Sequence, residues 1–514
     1  MASSAGLALE GLTADARRAA LAMAGLDARA RDEALVAVRS QLVKARAAIE
    51  AANELDLEAA RKSNLDPPLL KRLDVRGKKF DVMLSKLDEV RAVADPVGNV
   101  QLATKLDDGL DLYRVACPIG VVAVIFESRP DAAVQIASLA IKSANALILK
   151  GGKEAASTNA AIVSAIQGGL RSLSTKDNDR ATSSEPGSMM AATSVPGHAV
   201  QLVQSRDEVS ALLQMHGKID LIVPRGSNAL VSHIIENTRI PVLGHADGIC
   251  AIFLDKSAEL ELAKRVLIDA KTDYPVACNA AETLLLHADT LSTLWPSIAV
   301  ALLDAGVHLR CDKASRDALP SDLRSAPATA TRGSVSASNP ADYRTEFGEC
   351  TLAVKVVSSV VEAVGHINEH SSHHTDAILS HDPAAIRFFT QFVDSAGVYV
   401  NASTRFADGQ RYGFGAEVGV STNRIHSRGP MGVEGLLIYK YILLGHGQIA
   451  ADYSSGKSTF KHTPIPRALP PPVGTATSTH QSIPKPNVVA LMAAAAAVGA
   501  LCGVAAARTI SRWR

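Results

Sequence analysis

The sequence predicts an α/β protein with two doubly wound domains, and three observations lead there. Short β-rich runs alternate with helical patterns over residues 112–224, the arrangement that produces parallel βαβ units. A second series of the same kind begins near Ile249. The 514 residues, 47% hydrophobic and 20% charged, suffice to bury at least two substantial cores. A formal net charge of +1 offers no electrostatic reason to bind nucleic acid.

In chain order, residues 7–63 repeat apolar positions every three or four residues among abundant Ala, Leu, Arg and Glu. They read as amphipathic helices. The strand Val121-Val122-Ala123-Val124-Ile125-Phe126 follows, then a helix over 132–143 and the strand Ala146-Leu147-Ile148-Leu149-Lys150. Residues 172–196 turn to Ser, Thr, Asp, Gly and paired Met, which supports neither strand nor periodic helix, so a disordered surface insertion is expected. The strand Leu221-Ile222-Val223 then runs into a helix. The second series comprises Ala251-Ile252-Phe253-Leu254, a helix over 258–272 and a strand through Leu284-Leu285-Leu286, and residues 314–341 read as another irregular stretch. The expected divisions are 1–245 for the N-terminal helices and a cofactor-binding domain, 246–420 for a catalytic domain, and 421–453 for a C-terminal return segment.

Beyond these, residues 454–486 are rich in Pro, Ser, Thr and Gly and read as a flexible linker. Residues 488–507 carry no charge and are followed by Arg508, Arg512, Trp513 and Arg514. A run of about 20 apolar residues spans a ~30 Å hydrocarbon core, so this hydrophobic helix is expected to be a transmembrane tail anchor with the catalytic body in the cytoplasm. The alternative is an Ala-rich helix that packs on protein. No secretory leader is read at the N-terminus, where Glu10, Asp15, Arg17 and Arg18 arrive early.

The six cysteines form no C-x-x-C pair, which speaks against a zinc ribbon or a disulfide framework. One of them stands apart. Tyr274-Pro275-Val276-Ala277-Cys278-Asn279 presents Cys278 at a tight junction before an apolar strand, where a nucleophile would be displayed. Lys150-Gly151-Gly152-Lys153 and Pro224-Arg225-Gly226-Ser227 both leave strands and enter helices, so their backbone N–H groups are placed to approach phosphate. Neither is a G-x-G-x-x-G fingerprint. The cations favour NADP over NAD, although Arg225 could equally pair with a carboxylate. His366, His370, His373 and His374 lack a third-ligand pattern such as H-E-x-x-H, and no metal is assigned to them.

Six runs carry a resemblance: Ile125-Phe126-Glu127-Ser128-Arg129-Pro130, Lys150-Gly151-Gly152, Val223-Pro224-Arg225-Gly226, Cys278-Asn279-Ala280-Ala281-Glu282-Thr283, Tyr399-Val400-Asn401-Ala402-Ser403-Thr404-Arg405-Phe406 and Arg428-Gly429-Pro430-Met431-Gly432. In this order they resemble the gamma-glutamyl phosphate reductases, also called glutamate-5-semialdehyde dehydrogenases, of the aldehyde dehydrogenase superfamily. The resemblance covers about residues 10–448 and leaves out the irregular stretches and the tail. It implies an aldehyde dehydrogenase-like fold with an oligomerisation element, a homo-oligomer, and NADPH-dependent reduction of L-glutamyl 5-phosphate in proline biosynthesis. A separate glutamate 5-kinase would supply that substrate and is an expected transient partner.

The resemblance places catalysis at Cys278 and Asn279, with Cys278 forming a thioester. Glu127, Ser128 and Arg129 are expected to support the active site and its oxyanion. Lys150, Gly151, Gly152, Pro224, Arg225, Gly226 and Glu346 are expected at the cofactor, the last from Glu346-Phe347-Gly348. Arg405, Arg428 and Glu417 are expected at the substrate's charged groups. The stretch His245-Ala246-Asp247-Gly248-Ile249-Cys250 holds no glutamate, which favours a reductase over a hydrolytic dehydrogenase. A CoA-acylating relative and an inactive scaffold are the alternatives.

Overall fold

A computed structural model describes residues 4–177, 192–204, 206–245, 247–325, 328–329 and 331–470. The chain divides into two units, Met1–Ile465 and Pro466–Arg514. The first unit contains three sheets of consequence.

A four-stranded parallel sheet runs in the order Val200–Val203, Ala146–Lys150, Val121–Phe126, Leu221–Arg225. Its central strands are buried at every residue, as continuous Val/Ile/Leu runs covered on both faces must be. The helices Ser4–Met23, Ala28–Lys44 and Lys78–Ala92 contribute to one core with this sheet and the helix Pro130–Lys142.

A seven-stranded parallel sheet runs in the order Val335–Ala337, His308–Cys311, Thr351–Val357, Ala281–His287, Cys250–Leu254, Thr375–Leu379, Gly397–Val400. Alternate residues of one strand enter opposite cores: Ile252 and Leu254 join Trp295 and Leu302 on one face, Ala251 and Phe253 join Ile367 and Phe389 on the other. This is the two-residue period of a strand covered by helices on both sides.

The third sheet is antiparallel, in the order Leu437–Leu444, Leu110–Pro118, Val100–Asp107, Thr463–Pro464. It joins residues near position 100 to the C-terminal return segment. The hairpin Val100–Pro118 therefore belongs to neither parallel sheet.

Three expectations need correction. The irregular stretch 314–341 contains the helix Ser321–Ser325 and the strand Val335–Ala337, preceded by the helix Lys313–Asp317. These elements are three to five residues long, too short to print a periodicity. The insertion expected at 172–196 begins late, since the helix Ala156–Asp177 continues into it; residues 178–191 lie outside the described residues. The linker expected at 454–486 is not featureless, because Thr463–Pro464 adds to the antiparallel sheet and Ile465 N–H donates to Ala103 O at 3.2 Å. Among the described residues no helix is long and apolar enough to cross a membrane, and the run 488–507 lies outside them.

Candidate active site around Cys278

The helix Leu260–Thr272 ends at Asp273, and two tight turns follow, closed by Ala277 N–H to Tyr274 O (3.0 Å) and Ala280 N–H to Ala277 O (2.8 Å). They set Cys278 just before the strand Ala281–His287. The neighbouring segment crosses at Gly248, where a Cβ would lie 2.3 Å from both Cys278 Cα and Cys278 O. Only a glycine permits that approach.

Cys278 Sγ lies 3.3 Å from His374 Nε2. His245 meets the same sulfur and stands edge-on to His374, with ring centroids 4.9 Å apart. Each imidazole is held from its far side: His245 Nδ1 lies 2.9 Å from Val420 O, and His374 Nδ1 lies 2.9 Å from Thr375 Oγ1. A carbonyl only accepts, so Nδ1 of His245 carries a hydrogen and Nε2 faces the sulfur. Burial opposes the Cys278 thiolate, but His374 and His245 outweigh it and hold the thiol well below its ordinary pKa. Burial likewise opposes a charged His245, yet the thiolate raises it to about 9. The arrangement is a thiolate beside an imidazolium.

Both histidines escaped sequence reasoning. His245 opens a stretch whose only sequence signal is its lack of glutamate, and His374 lies close in the chain to His366 and His370. Those two stack on each other at 4.2 Å and stand edge-on to Tyr343 instead.

Glu346 accepts a hydrogen bond from the Gly248 backbone and lies within electrostatic range of Cys278; burial raises its carboxyl pKa. Its loop is anchored from below. Lys271 and Glu282 form an ion pair at 2.5 Å with no solvent exposure of either side chain, Gly348 N–H points to Glu282 (3.5 Å), and Phe347 lies under Lys271 and Arg310. Glu282 is four residues from the nucleophile, so one buried pair ties the Cys278 turn to the Glu346 loop.

Asn279 is turned away from the sulfur: its Nδ2 donates to Ala407 O at 3.0 Å and reaches Arg405 O at 3.5 Å. Arg405 in turn donates to Asp273 (3.2 Å) and lies over the Tyr274 ring. Both residues brace the turn that carries Cys278. Arg428 is held twice by Asp394, at 2.9 Å to the carboxylate and 3.0 Å to the carbonyl. Glu417 pairs with Arg225 at 3.2 Å and accepts from Gly409 N–H at 2.9 Å.

The carboxyl ends of three adjacent strands converge beyond Phe126, Lys150 and Arg225, where Ile125 pairs with Lys150 and Phe126 with Arg225. Ligands of open α/β sheets bind at such points. Ser128 has φ +48° and gives its N–H and Oγ–H to Glu154, at 2.6 and 2.8 Å. Glu127 accepts from Ser227 N–H at 3.0 Å, filling the start of the helix Asn228–Asn237. Similarly, Asp56 takes the N–H groups of Ser157 and Thr158 at 3.2 and 2.8 Å. Of these N–H groups, that of Ser227 is one the sequence assigned to phosphate, and Glu127 already holds it. Lys150 is buried against Gly151 O. A Cβ on Gly151 would lie 2.0 Å from Asn159 Nδ2, one on Gly152 2.0 Å from Glu154 Oε1, and one on Gly226 2.5 Å from Glu127 Oε2. Pro224 sits within its strand opposite Ile125. Arg129 is half-buried, and its side chain has no hydrogen bond or ion pair among the described residues; burial and the nearby Arg225 and Arg72 lower its pKa.

No family model matches the chain. Relatives are nonetheless extensive. A probable gamma-glutamyl phosphate reductase of Schizosaccharomyces pombe is 47% identical over 441 residues, 84% of this chain and 92% of that one. The gamma-glutamyl phosphate reductase of Saccharomyces cerevisiae is 47% identical over 421 residues, 81% of this chain and 89% of that one. Among solved structures, the gamma-glutamyl phosphate reductase of Thermotoga maritima matches with a TM-score of 0.78 at 34% identity, covering 86% of this chain and 99% of that one. An acetylating aldehyde dehydrogenase of Geobacillus thermoglucosidasius shares the fold at 16% identity and a TM-score of 0.56, covering 87% of this chain and 98% of that one. With its nucleophile turn, paired parallel sheets and near-complete coverage of these relatives, the chain belongs to the gamma-glutamyl phosphate reductase family and has the aldehyde dehydrogenase-like fold.

Proposed function

We propose that the chain reduces L-glutamyl 5-phosphate to L-glutamate 5-semialdehyde with release of phosphate, the second step from glutamate to proline, and that Cys278 carries the acyl group. The observation that supports this assignment is the thiolate held between two imidazoles. Cys278 Sγ attacks the acyl carbon, the C–O bond to phosphate breaks, and a thioester remains. When bound, a nicotinamide cofactor supplies the hydride that takes the acyl group to the aldehyde level. The resulting alkoxide expels the thiolate, which returns to its place between His374 and His245. The Cys278 backbone N–H and the Glu127–Ser128–Arg129 turn are the assigned oxyanion supports.

The residues at the converging strand ends fit a phosphorylated cofactor in one respect: both amide atoms of Asn159 are buried without a partner among the described residues, beside the Gly151 backbone. Lys150, Gly151, Gly152, Pro224, Arg225, Gly226 and Glu346 are assigned to that side, with NADPH as the cofactor. Arg129, whose side chain has no ion pair among the described residues, is assigned to a substrate anion. Arg405, Arg428 and Glu417 already have partners within the chain, so their assignment to substrate charges requires those pairs to open.

The assay runs in reverse, because glutamyl phosphate cyclises. NADP reduction with glutamate 5-semialdehyde is expected only with inorganic phosphate and is expected to vanish in Cys278→Ala. Phosphate-independent turnover would sink the acyl-phosphate reading in favour of a hydrolytic dehydrogenase.

The exposed edge strand Leu437–Leu444 supports a homo-oligomer, and the charge-free run 488–507 supports a membrane-anchored tail on a cytoplasmic body. Removing residues 487–514 should release the protein from membranes with turnover intact; a full-length chain already free of membranes would refute the anchor. Hand-off from glutamate 5-kinase is supported only by the instability of the intermediate. Its check is crosslinking, where recovery of the protein without any kinase counts against it.

A further inference from the structure

We propose that Cys278, His245 and His374 form a three-ligand site for a soft divalent cation such as Zn2+, and that occupancy silences the nucleophile. Their donor atoms lie within 4.8 Å of one another. A tetrahedral zinc bonded to nitrogen at ~2.0 Å and sulfur at ~2.3 Å separates those two atoms by ~3.5 Å. The Cys278–His374 pair, at 3.3 Å, already has that spacing. The longest donor separation, at most 4.8 Å, must contract by up to about 1.3 Å to reach it.

A second observation, independent of the donor set, points the same way. Metal-bound imidazoles fix their free face by giving the other ring N–H to a carboxylate, a backbone carbonyl or water. His245 has that support from Val420 O at 2.9 Å, and His374 Nδ1 lies 2.9 Å from Thr375 Oγ1, a hydroxyl able to accept the same N–H. The two Nε2 atoms are thereby aimed at the sulfur in advance. Imidazole and thiolate donors select zinc and its chemical neighbours over magnesium or calcium, and three protein ligands leave a fourth position for water.

Binding forms Zn–S and Zn–N bonds, displaces the Nε2 proton of His245 to solvent, and involves no change of oxidation state. The sulfur lone pair needed for attack on the acyl carbon is then engaged. The binding claim stands on geometry alone; the inhibitory consequence rests on the proposed role of Cys278.

The test uses the full chain, stripped with chelator and titrated with Co2+ as a spectroscopic substitute for Zn2+. One Co2+ per chain is expected, with a sulfur-to-metal charge-transfer band and the intense visible bands of tetrahedral cobalt. Cys278→Ser should abolish the charge-transfer band. His374→Ala and His245→Ala should each weaken binding by at least ~10-fold, and Thr375→Val, which removes only the outer support, by ~10–100-fold. Phosphate-dependent turnover should fall with added Zn2+ in proportion to occupancy and return with chelator. Binding that survives in Cys278→Ser, or that is indifferent to both histidine substitutions, would overturn the site. Tight cobalt binding without loss of turnover would overturn the inhibitory role and leave the acyl-transfer assignment to its own assay.

Discussion

At Gly248 a single methyl group decides where the nucleophile sits. A side chain there would meet Cys278 Cα and O at 2.3 Å, and neither backbone atom can step aside without moving the sulfur. A shift of about 1 Å in a reacting group costs on the order of 100-fold in rate. Gly248→Ala is therefore expected to lower kcat by roughly that factor while the far-ultraviolet circular dichroism stays unchanged; near-normal kcat would show that the crossing is slack. Cys278 itself was legible in the sequence because a proline turn and an apolar strand flank it. His374 was not, because it stands 96 residues from the sulfur it touches. Their meeting depends on the order of the strands Ala281–His287, Cys250–Leu254 and Thr375–Leu379, which no local spacing encodes. Arg428 and Glu417 were read as cations and anions for a ligand; a sequence shows that a charge exists but not that Asp394 or Arg225 already answers it.

Between the helix Leu260–Thr272 and the strand Ala281–His287, the Lys271–Glu282 pair is fully enclosed. Removing one partner strands a buried charge, a loss of about 3–5 kcal/mol. Lys271→Met should therefore lower the urea midpoint sharply, and adding Glu282→Leu should recover much of the loss; equal midpoints for the single and double variants would contradict this account. In the helix Val360–His370, His366 is 9% exposed, its Nε2 is buried without a partner among the described residues, and burial together with His370 and Lys355 pushes its pKa down to about 4. Unfolded His366 takes up its proton near pH 6.5, whereas the folded form resists until about 4. Stability from this residue is thus present above pH 6.5 and is lost as pH falls toward 4, by roughly 3 kcal/mol. His366→Gln should flatten that part of the stability profile; an unchanged slope would argue against the buried neutral ring. The strands at 121–126 and 146–150 were legible because they are continuous apolar runs, and the five-residue helices at 313–317 and 321–325 were not, being shorter than the window that reveals a helix.

For the whole molecule, the alternation of strands and helices revealed both parallel sheets, but not the third. The strand Leu437–Leu444 lies at that sheet's edge with Tyr439, Tyr441 and Leu443 at least half exposed. Such an edge invites pairing or aggregation unless covered. If a second copy covers it, Tyr441→Lys with Leu443→Lys should reduce the mass measured by light scattering to that of a smaller assembly; an unchanged mass would rule out this strand as the contact. The same strand pairs along its full length with Leu110–Pro118, from Leu437 opposite Pro118 to Leu444 opposite Asp111. On a ribosome adding ~5–20 residues per second, the earlier strand waits roughly 15–65 s for its partner to be made. The protein's vulnerable period is therefore its own synthesis, and the demand for a chaperone is set by the distance between these two strands in the message.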